Sequence, residues 1–204
     1  MPEEILQNID VLVKDNIRII SLPAKRFKKP IAIILVGPPF SGKSALVDRL
    51  SKAFPLAILS EDRMREFLAP RATFFKRGAP EIFLLASKTM EALLKDGISC
   101  IYDATIKKRA DREFLRNLMS AAGGRMALIY IDIPEEEAYK VITKVNAQVV
   151  RGDSRGFVMD KDFFRYELNS TERPLPDEQP IVVNTLHEWE KERVENHIRG
   201  YLQE

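Results

Sequence analysis

The chain has 204 residues, of which 45% are hydrophobic, and 32 basic against 30 acidic residues leave a net charge of +2. This length suffices for one well-packed core, so we expect a single domain over residues 1–204. A charge so close to neutral argues against an extended nucleic-acid or membrane surface. The lone cysteine, Cys100, excludes an intramolecular disulfide and is expected in the core of a cytoplasmic protein. No apolar stretch reaches the length of a membrane span, and no obligate protein partner is indicated.

The first third of the chain predicts a helix, a buried strand and a second helix. Apolar residues recur at helical spacing over 5–17, and the basic stretch that follows to residue 29 is interpreted as a solvated loop, so 1–29 form an N-terminal helical extension. The run at 31–36 is apolar without alternation, as in a strand covered on both faces. A helix is predicted from about 43 to 54, where Pro55 closes it.

Helices and strands continue to alternate along the rest of the chain. The predicted elements are a strand at 57–59, helices near 63–68 and 81–95, a strand at 98–102, a helix near 114–122, a strand at 126–133, helices near 138–149 and 163–168, a strand at 181–183 and a terminal helix. Trp189, in the terminal helix, is expected in the core. This alternation favours parallel pairing, so we predict a three-layer α/β/α fold with a mostly parallel sheet of about five strands.

The turn after the strand at 31–36 has the composition of a phosphate-binding loop. It reads Gly37-Pro38-Pro39-Phe40-Ser41-Gly42-Lys43-Ser44, which matches the pattern of glycine, four residues, glycine, lysine and serine. Backbone N–H groups in such a turn point at phosphate oxygens, and the positive end of the helix dipole adds to the attraction. Lys43 can reach the β- and γ-phosphates, and the Ser44 hydroxyl can ligate Mg²⁺. We therefore expect the segment from Gly37 to Ala45 to bind ATP rather than to be an ordinary strand-to-helix turn.

Two clusters of polar residues follow the next strands, at the sheet edge where ligands of such folds gather. In the first, Asp62 and Arg65 would share a helix face, with Asp62 as the base for an acceptor hydroxyl and Arg65 as an anion-binding residue. An N-cap and a surface ion pair would explain the same spacing. In the second, Asp103 ends an apolar strand and is predicted to hold Mg²⁺ through water, the alternative being a helix cap.

A glycine-containing break follows the helix near 138–149 and carries Arg151 and Arg155. Such a segment can close over a charged ligand, and its arginines can neutralise charge on a phosphoryl group in transfer. We therefore predict a lid over about 150–170. A solvated loop that happens to contain arginines is the competing interpretation.

With these residues in place, the sequence resembles the P-loop kinases related to phage polynucleotide kinase, zeta-toxin-like and chloramphenicol phosphotransferase-like enzymes. The resemblance covers about 31–185 and depends on the phosphate loop, on Asp62 and Arg65, on the turn that begins at Asp103, and on the arginines near 151. It implies ATP as phosphoryl donor, Mg²⁺ as cofactor, Asp62 as the base and Arg65 as a substrate-binding residue. Phe40 departs from the pattern, because many relatives carry glycine there.

Two functions remain open from the sequence. The leading hypothesis is an ATP-dependent phosphotransferase that moves the γ-phosphoryl group to a hydroxyl of a nucleic-acid end, a nucleotide sugar or another small molecule. The alternative is a nucleotide-dependent switch or interaction module with slow ATP hydrolysis, which would not need Asp62 and Arg65 beside the phosphates. Acceptor specificity is expected to reside between Arg65 and Glu81.

Overall fold

A parallel β-sheet lies at the centre of the fold. The computed structural model describes residues 3–68, 79–152 and 158–203. The strands of the sheet are β1 (Ile31–Val36), β2 (Ala57–Ser60), β3 (Cys100–Asp103), β4 (Arg125–Ile131) and β5 (Ile181–Val183). They lie in the order β2-β3-β1-β4-β5, and each neighbouring pair is parallel. The predicted α/β fold with a central five-stranded sheet is therefore confirmed.

Helices cover both faces of this sheet. In the described part of the chain the α-helices are α1 (Glu3–Arg18), α2 (Lys43–Ala53), α3 (Glu61–Leu68), α4 (Ala79–Lys95), α5 (Arg109–Ala121), α6 (Glu135–Arg151), α7 (Lys161–Asn169) and α8 (Glu188–Gln203). A short 3-10 helix spans Pro176–Glu178. None of the helices so described is long and apolar enough to cross a bilayer.

Strand β1 lies at the centre of the sheet, and both of its faces are covered. Residues 31, 33 and 35 belong to a core cluster shared with α2, α6, α7 and α8. Residues 32, 34 and 36 belong to a second cluster shared with α1, α3, α4 and α5. Since all six side chains are fully buried, the strand has no polar alternation, and each large aliphatic side chain contributes about 1.5–3 kcal/mol of burial free energy.

The N-terminal helix α1 is part of the second cluster. Its residues Ile9, Leu12 and Val13 are buried in that core. The side-chain amide of Asn16 donates a hydrogen bond to the Thr89 hydroxyl of α4 at 3.2 Å. The amide is buried, so this bond satisfies a polar group that would otherwise be costly inside the core.

Two single residues test the predicted core. Cys100 is fully buried, which confirms the expectation, and burial raises the pKa of its thiol to about 12. The expectation for Trp189 is wrong, because the indole is 62% exposed and stacks on the His187 ring with 6.4 Å between centroids. The buried face of α8 is formed by Val194 and Ile198, and at about 100° per residue Trp189 lies roughly 140–180° away from them.

A buried ion pair joins α5 to the segment before β5. Arg112 and Glu178 are 1% and 4% exposed, and the guanidinium donates to both carboxylate oxygens, at 2.6 Å and 2.9 Å. The remaining amino group of Arg112 donates to the carbonyl oxygens of Ile106, Lys107 and Glu172. Burial by itself would raise the pKa of Glu178, but the hydrogen bonds from Arg112 and from the Leu175 N–H outweigh it and hold the pKa below its usual range. Arg112 thus fixes the loop that follows β3.

We expect Arg112→Met to destabilise the fold by about 3–5 kcal/mol, because it leaves the Glu178 carboxylate buried without its partner. The free energy of unfolding in urea measures the loss. Arg109→Met is the matched control, since Arg109 lies on the same helix and pairs with Glu113 and Asp177 at the surface. A loss for Arg112→Met no larger than that of the control would contradict the assignment of Arg112 as a buried clamp.

Candidate functional site

The chain between β1 and α2 forms a tight turn beyond the C-terminal end of the sheet, and two glycines are required in it. Gly42 has a φ of 86°, and a Cβ added there would lie 3.0 Å from the Thr185 hydroxyl oxygen. A Cβ added at Gly37 would lie 2.9 Å from Cβ of Ile131. The Thr185 hydroxyl also donates a short hydrogen bond to the Ser41 carbonyl. The turn is therefore held from outside by the segment that follows β5.

The turn also contains a non-glycine residue in the left-handed region. Phe40 has a φ of 59°, a conformation that costs an ordinary residue about 1–2 kcal/mol. Its ring packs against the core cluster under α2, which offsets that cost. The neighbouring Ser41 hydroxyl is buried and has no hydrogen-bond partner within the described residues. A strained turn with an unsatisfied polar atom is typical of a ligand site.

Lys43 is the first residue of α2, and its ammonium group lies inside the turn. It donates to the carbonyl oxygens of Gly37 and Pro38, at 3.1 Å and 2.6 Å. Burial lowers the pKa of Lys43 to about 8, although the nearby Asp103 carboxylate opposes the change. A desolvated cation of this kind gains from an arriving anion, so the turn is electrostatically prepared for phosphate.

Ser44 and Asp103 bring a hydroxyl and a carboxylate together at the mouth of the turn. The Ser44 hydroxyl donates to a carboxylate oxygen of Asp103 at 3.2 Å, and the Thr105 hydroxyl donates to the carbonyl of Gly37 at 3.4 Å. Burial raises the pKa of Asp103, while the hydrogen bond from Ser44 and the charge of Lys43 lower it. A hydroxyl and one carboxylate suit Mg²⁺, which takes its other ligands from water and phosphate oxygens. The described residues contain no group of three or more His, Cys, Asp or Glu that could hold a metal by themselves.

The parallel register of the sheet brings Asp62 to the same place. Ser60, the last residue of β2, is paired with Asp103 in β3, so the start of α3 lies beside Asp103, and the charge of Asp62 adds to the rise in its pKa. Helix α3 begins two residues earlier than predicted, because the Ser60 hydroxyl accepts a hydrogen bond from an N–H of its first turn. Arg65 pairs with Glu61 at 2.5 Å rather than with Asp62. The catalytic roles of Asp62 and Arg65 stay predictions.

One charged pair at this site was missed by the sequence analysis. The Lys107 ammonium lies 2.6 Å from the Glu167 carboxylate of α7, and both charges affect the pKa of Lys43, Glu167 raising it and Lys107 lowering it. Lys107 has a signal in the sequence, since it lies four residues after Asp103 in the loop that follows a strand. Glu167 has none, because only the fold brings α7 to that loop.

The arginines of the predicted lid are placed only in part. Arg151 is the exposed last residue of α6, and Gly152 follows it with a φ of 78°. Arg155 lies outside the described residues, as do residues 69–78 from the segment expected to determine acceptor specificity. Contact of these arginines with phosphate stays a prediction.

A family model matches the part of the chain that contains the turn. The model of the AAA_33 family, described as an AAA domain, matches residues 33–150, which is more than half of the chain and includes the turn, Asp62 and Asp103. Among curated proteins the sequence has no match.

Solved structures share the fold at low sequence identity. A sugar kinase from Janibacter sp. HTCC2649 has a TM-score of 0.60 and 19% identity over 86% of this chain and 95% of its own. Kti12 from Chaetomium thermophilum, in complex with ADP-AlF3, has a TM-score of 0.63 and 14% identity over 85% and 99%. The APS kinase CysC from Mycobacterium tuberculosis, in complex with AMPPNP and APS, has a TM-score of 0.55 and 16% identity over 86% and 99%. These likenesses concern the fold.

We expect Gly42→Ala to destabilise the protein more than Gly123→Ala. Both glycines have a positive φ, so each alanine adds backbone strain of about 1–2 kcal/mol. An added Cβ at Gly123 meets nothing within 4 Å, whereas at Gly42 it meets Thr185. The free energies of unfolding in urea separate the cost of backbone strain, which both variants share, from the cost of the contact with Thr185, which only Gly42→Ala makes. Equal losses would show that Thr185 does not constrain the turn.

We expect the affinity for Mg·ATP to fall as the pH rises through about 8, because Lys43 loses its proton there. A bound phosphate favours the charged amine and raises its pKa, so binding at pH 8 should take up protons. Calorimetry in buffers of different ionisation enthalpy measures this uptake. Lys43→Arg is the control, since a guanidinium stays charged throughout this range; an unchanged pH dependence in that variant would assign the titration to another group.

Proposed function

The chain belongs to the AAA_33 family, and from that premise we propose that it is a P-loop kinase that transfers the γ-phosphoryl group of ATP to a hydroxyl acceptor. The observation that carries this proposal is the convergence of three strand ends. The ends of β1, β3 and β2 bring Lys43 with Ser44, Asp103 and Asp62 to one edge of the sheet. The groups that would bind phosphate and activate the acceptor would thus be adjacent, as in-line phosphoryl transfer requires.

The proposed donor side is formed by the turn from Gly37 to Ala45. Its main-chain N–H groups and the Lys43 ammonium would bind the phosphate oxygens, where the positive end of α2 adds attraction. Ser44 and Asp103 would hold Mg²⁺, which when bound neutralises charge on the phosphates. Two of the structurally similar proteins support a nucleotide as the ligand, since their structures are of complexes with ADP-AlF3 or with AMPPNP.

The proposed acceptor side is formed by α3. The Asp62 carboxylate would take the proton of the acceptor hydroxyl. The acceptor oxygen would form a bond to the γ-phosphorus as the bond from that phosphorus to the bridging oxygen of ADP breaks. Arg65 would bind an anionic part of the acceptor, in exchange for its present partner Glu61. Arg151 and Arg155 would neutralise charge on the group in transfer.

The acceptor is proposed to be a nucleic-acid 5′ end, a nucleotide sugar or another small hydroxyl compound. The proposed compartment is the cytoplasm, where the single thiol of the chain stays reduced. In the alternative function, a nucleotide-dependent switch, ATP would be bound and slowly hydrolysed with no acceptor phosphorylated. The placement of Asp62 beside Asp103 favours the kinase, because a switch has no use for a base at that position.

We expect Asp62→Asn to reduce phosphate transfer by about 10²-fold or more while ATP affinity stays within about twofold. Transfer is measured with γ-labelled ATP across oligonucleotide ends, nucleotide sugars and small alcohols. Affinity is measured by the fluorescence of Trp189, the single tryptophan, which lies four residues after Thr185. Glu66→Gln is the matched control, because Glu66 is an exposed carboxylate on the same helix.

The outcomes of this experiment separate the hypotheses. Unchanged transfer in Asp62→Asn would remove Asp62 from its proposed role. Slow hydrolysis with no phosphorylated acceptor would favour the switch. Absence of any Mg²⁺-dependent affinity for nucleoside triphosphates would overturn the kinase proposal itself.

A further inference from the structure

The pair of Lys107 and Glu167 lies at the phosphate site but has no part in the function proposed above. Lys107 is 34% exposed and Glu167 20% exposed, and their charged atoms are 2.6 Å apart. Pairs that are freely solvated at a surface contribute little and are often incidental. This pair is more enclosed. Lys107 lies two residues after Thr105, whose hydroxyl donates to the Gly37 carbonyl of the turn at 3.4 Å, and both charges of the pair act on the Lys43 ammonium.

Lys43 and the three charged groups that act on it carry no net charge as a set. Lys43 and Lys107 are cationic, whereas Asp103 and Glu167 are anionic and both raise the pKa of Lys43. A triphosphate tail would bring several negative charges into this balanced set. Lys107 would then be attracted to the phosphate oxygens, and the Glu167 carboxylate would be repelled by them.

The main chain at Lys107 is fixed while its side chain is held at one point only. The Lys107 carbonyl accepts hydrogen bonds from the Glu172 N–H at 2.8 Å and from the buried Arg112 at 3.1 Å. Its ammonium is bound by Glu167 alone among the described residues. A long, flexible side chain on a rigid base can exchange one anion for another without rearrangement of the loop.

We propose that Lys107 is a second phosphate-binding cation and that Glu167 is its counter-ion until nucleotide binds. This proposal rests on the proposed kinase function. Phosphate displaces the carboxylate from the ammonium. The exchange breaks the ion pair that joins α7 to the loop after β3, so nucleotide binding and the position of α7 become coupled. Glu167 thereby weakens nucleotide binding, because its carboxylate competes for Lys107 and repels the phosphates.

The test is the affinity for Mg·ATP of Lys107→Met, Glu167→Gln and the double variant, measured by Trp189 fluorescence and by calorimetry. We expect Lys107→Met to bind about tenfold more weakly and Glu167→Gln to bind several-fold more tightly than wild type. The double variant should resemble Lys107→Met, because the carboxylate acts mainly through Lys107. Lys108→Met is the matched control, since the neighbouring Lys108 pairs with Glu172 at the surface.

Opposite shifts in affinity separate this role from a structural one. A brace between α7 and the loop would make both single variants weaken binding together and lower the thermal unfolding midpoint by a similar amount. Weaker binding in Glu167→Gln, or a loss in Lys107→Met no larger than in Lys108→Met, would overturn the proposal. Absence of Mg·ATP affinity in the wild type would overturn the kinase proposal as well, so the two failures are distinguishable.

Discussion

The site depends on one cation that the fold has withdrawn from water. The Lys43 ammonium is enclosed by its own turn, and carbonyl oxygens of Gly37 and Pro38 replace its hydration shell. Carbonyl dipoles compensate a desolvated charge only in part, which is why its pKa falls to about 8. The left-handed Gly42 and Phe40 shape the turn around this charge. An anion that enters the turn offsets the remaining desolvation cost of the Lys43 ammonium, and this relief contributes to the free energy of binding.

The parallel sheet supplies the second requirement, which is convergence. Because β2, β3 and β1 are adjacent and run in one direction, groups that are far apart in the sequence meet at the same edge. The buried Arg112 then holds the loop after β3 through the carbonyl oxygens of Ile106 and Lys107, and it ties that loop to the carbonyl of Glu172 after α7. The main chain at Lys107 is thus fixed by an ion pair that is itself buried, a common way of orienting groups at a site.

Much of this arrangement could be predicted from local patterns. The uniform apolar run of β1 indicated a strand buried on both faces, and the glycine, lysine and serine spacing indicated the turn that follows it. Both signals are contained within a dozen residues. The polar residues at strand ends were equally visible, since Asp103 is the last residue of β3 and Asp62 follows β2 by two residues.

What could not be predicted depends on contacts between distant residues. Glu167 and Glu178 meet Lys107 and Arg112 only after α7 and the following segment have packed against the sheet. The prediction for Trp189 was wrong because α8 buries only one narrow face, which is formed by Val194 and Ile198. The spacing of apolar residues along the helix does not by itself show which of them form that face. Arg65 pairs with Glu61, four residues earlier, rather than with Asp62, three residues earlier. Both spacings put the two side chains on one helix face, so the sequence does not distinguish them.

The burial of Cys100 has a practical consequence. The chain has one cysteine, its side chain is inaccessible, and with a pKa of about 12 almost none of the nucleophilic thiolate exists at neutral pH. Maleimide dyes added to the folded protein should therefore modify only cysteines introduced on purpose. Two such labels, one on α1 and one on α7, would allow single-molecule distance measurements with Cys100 left in place.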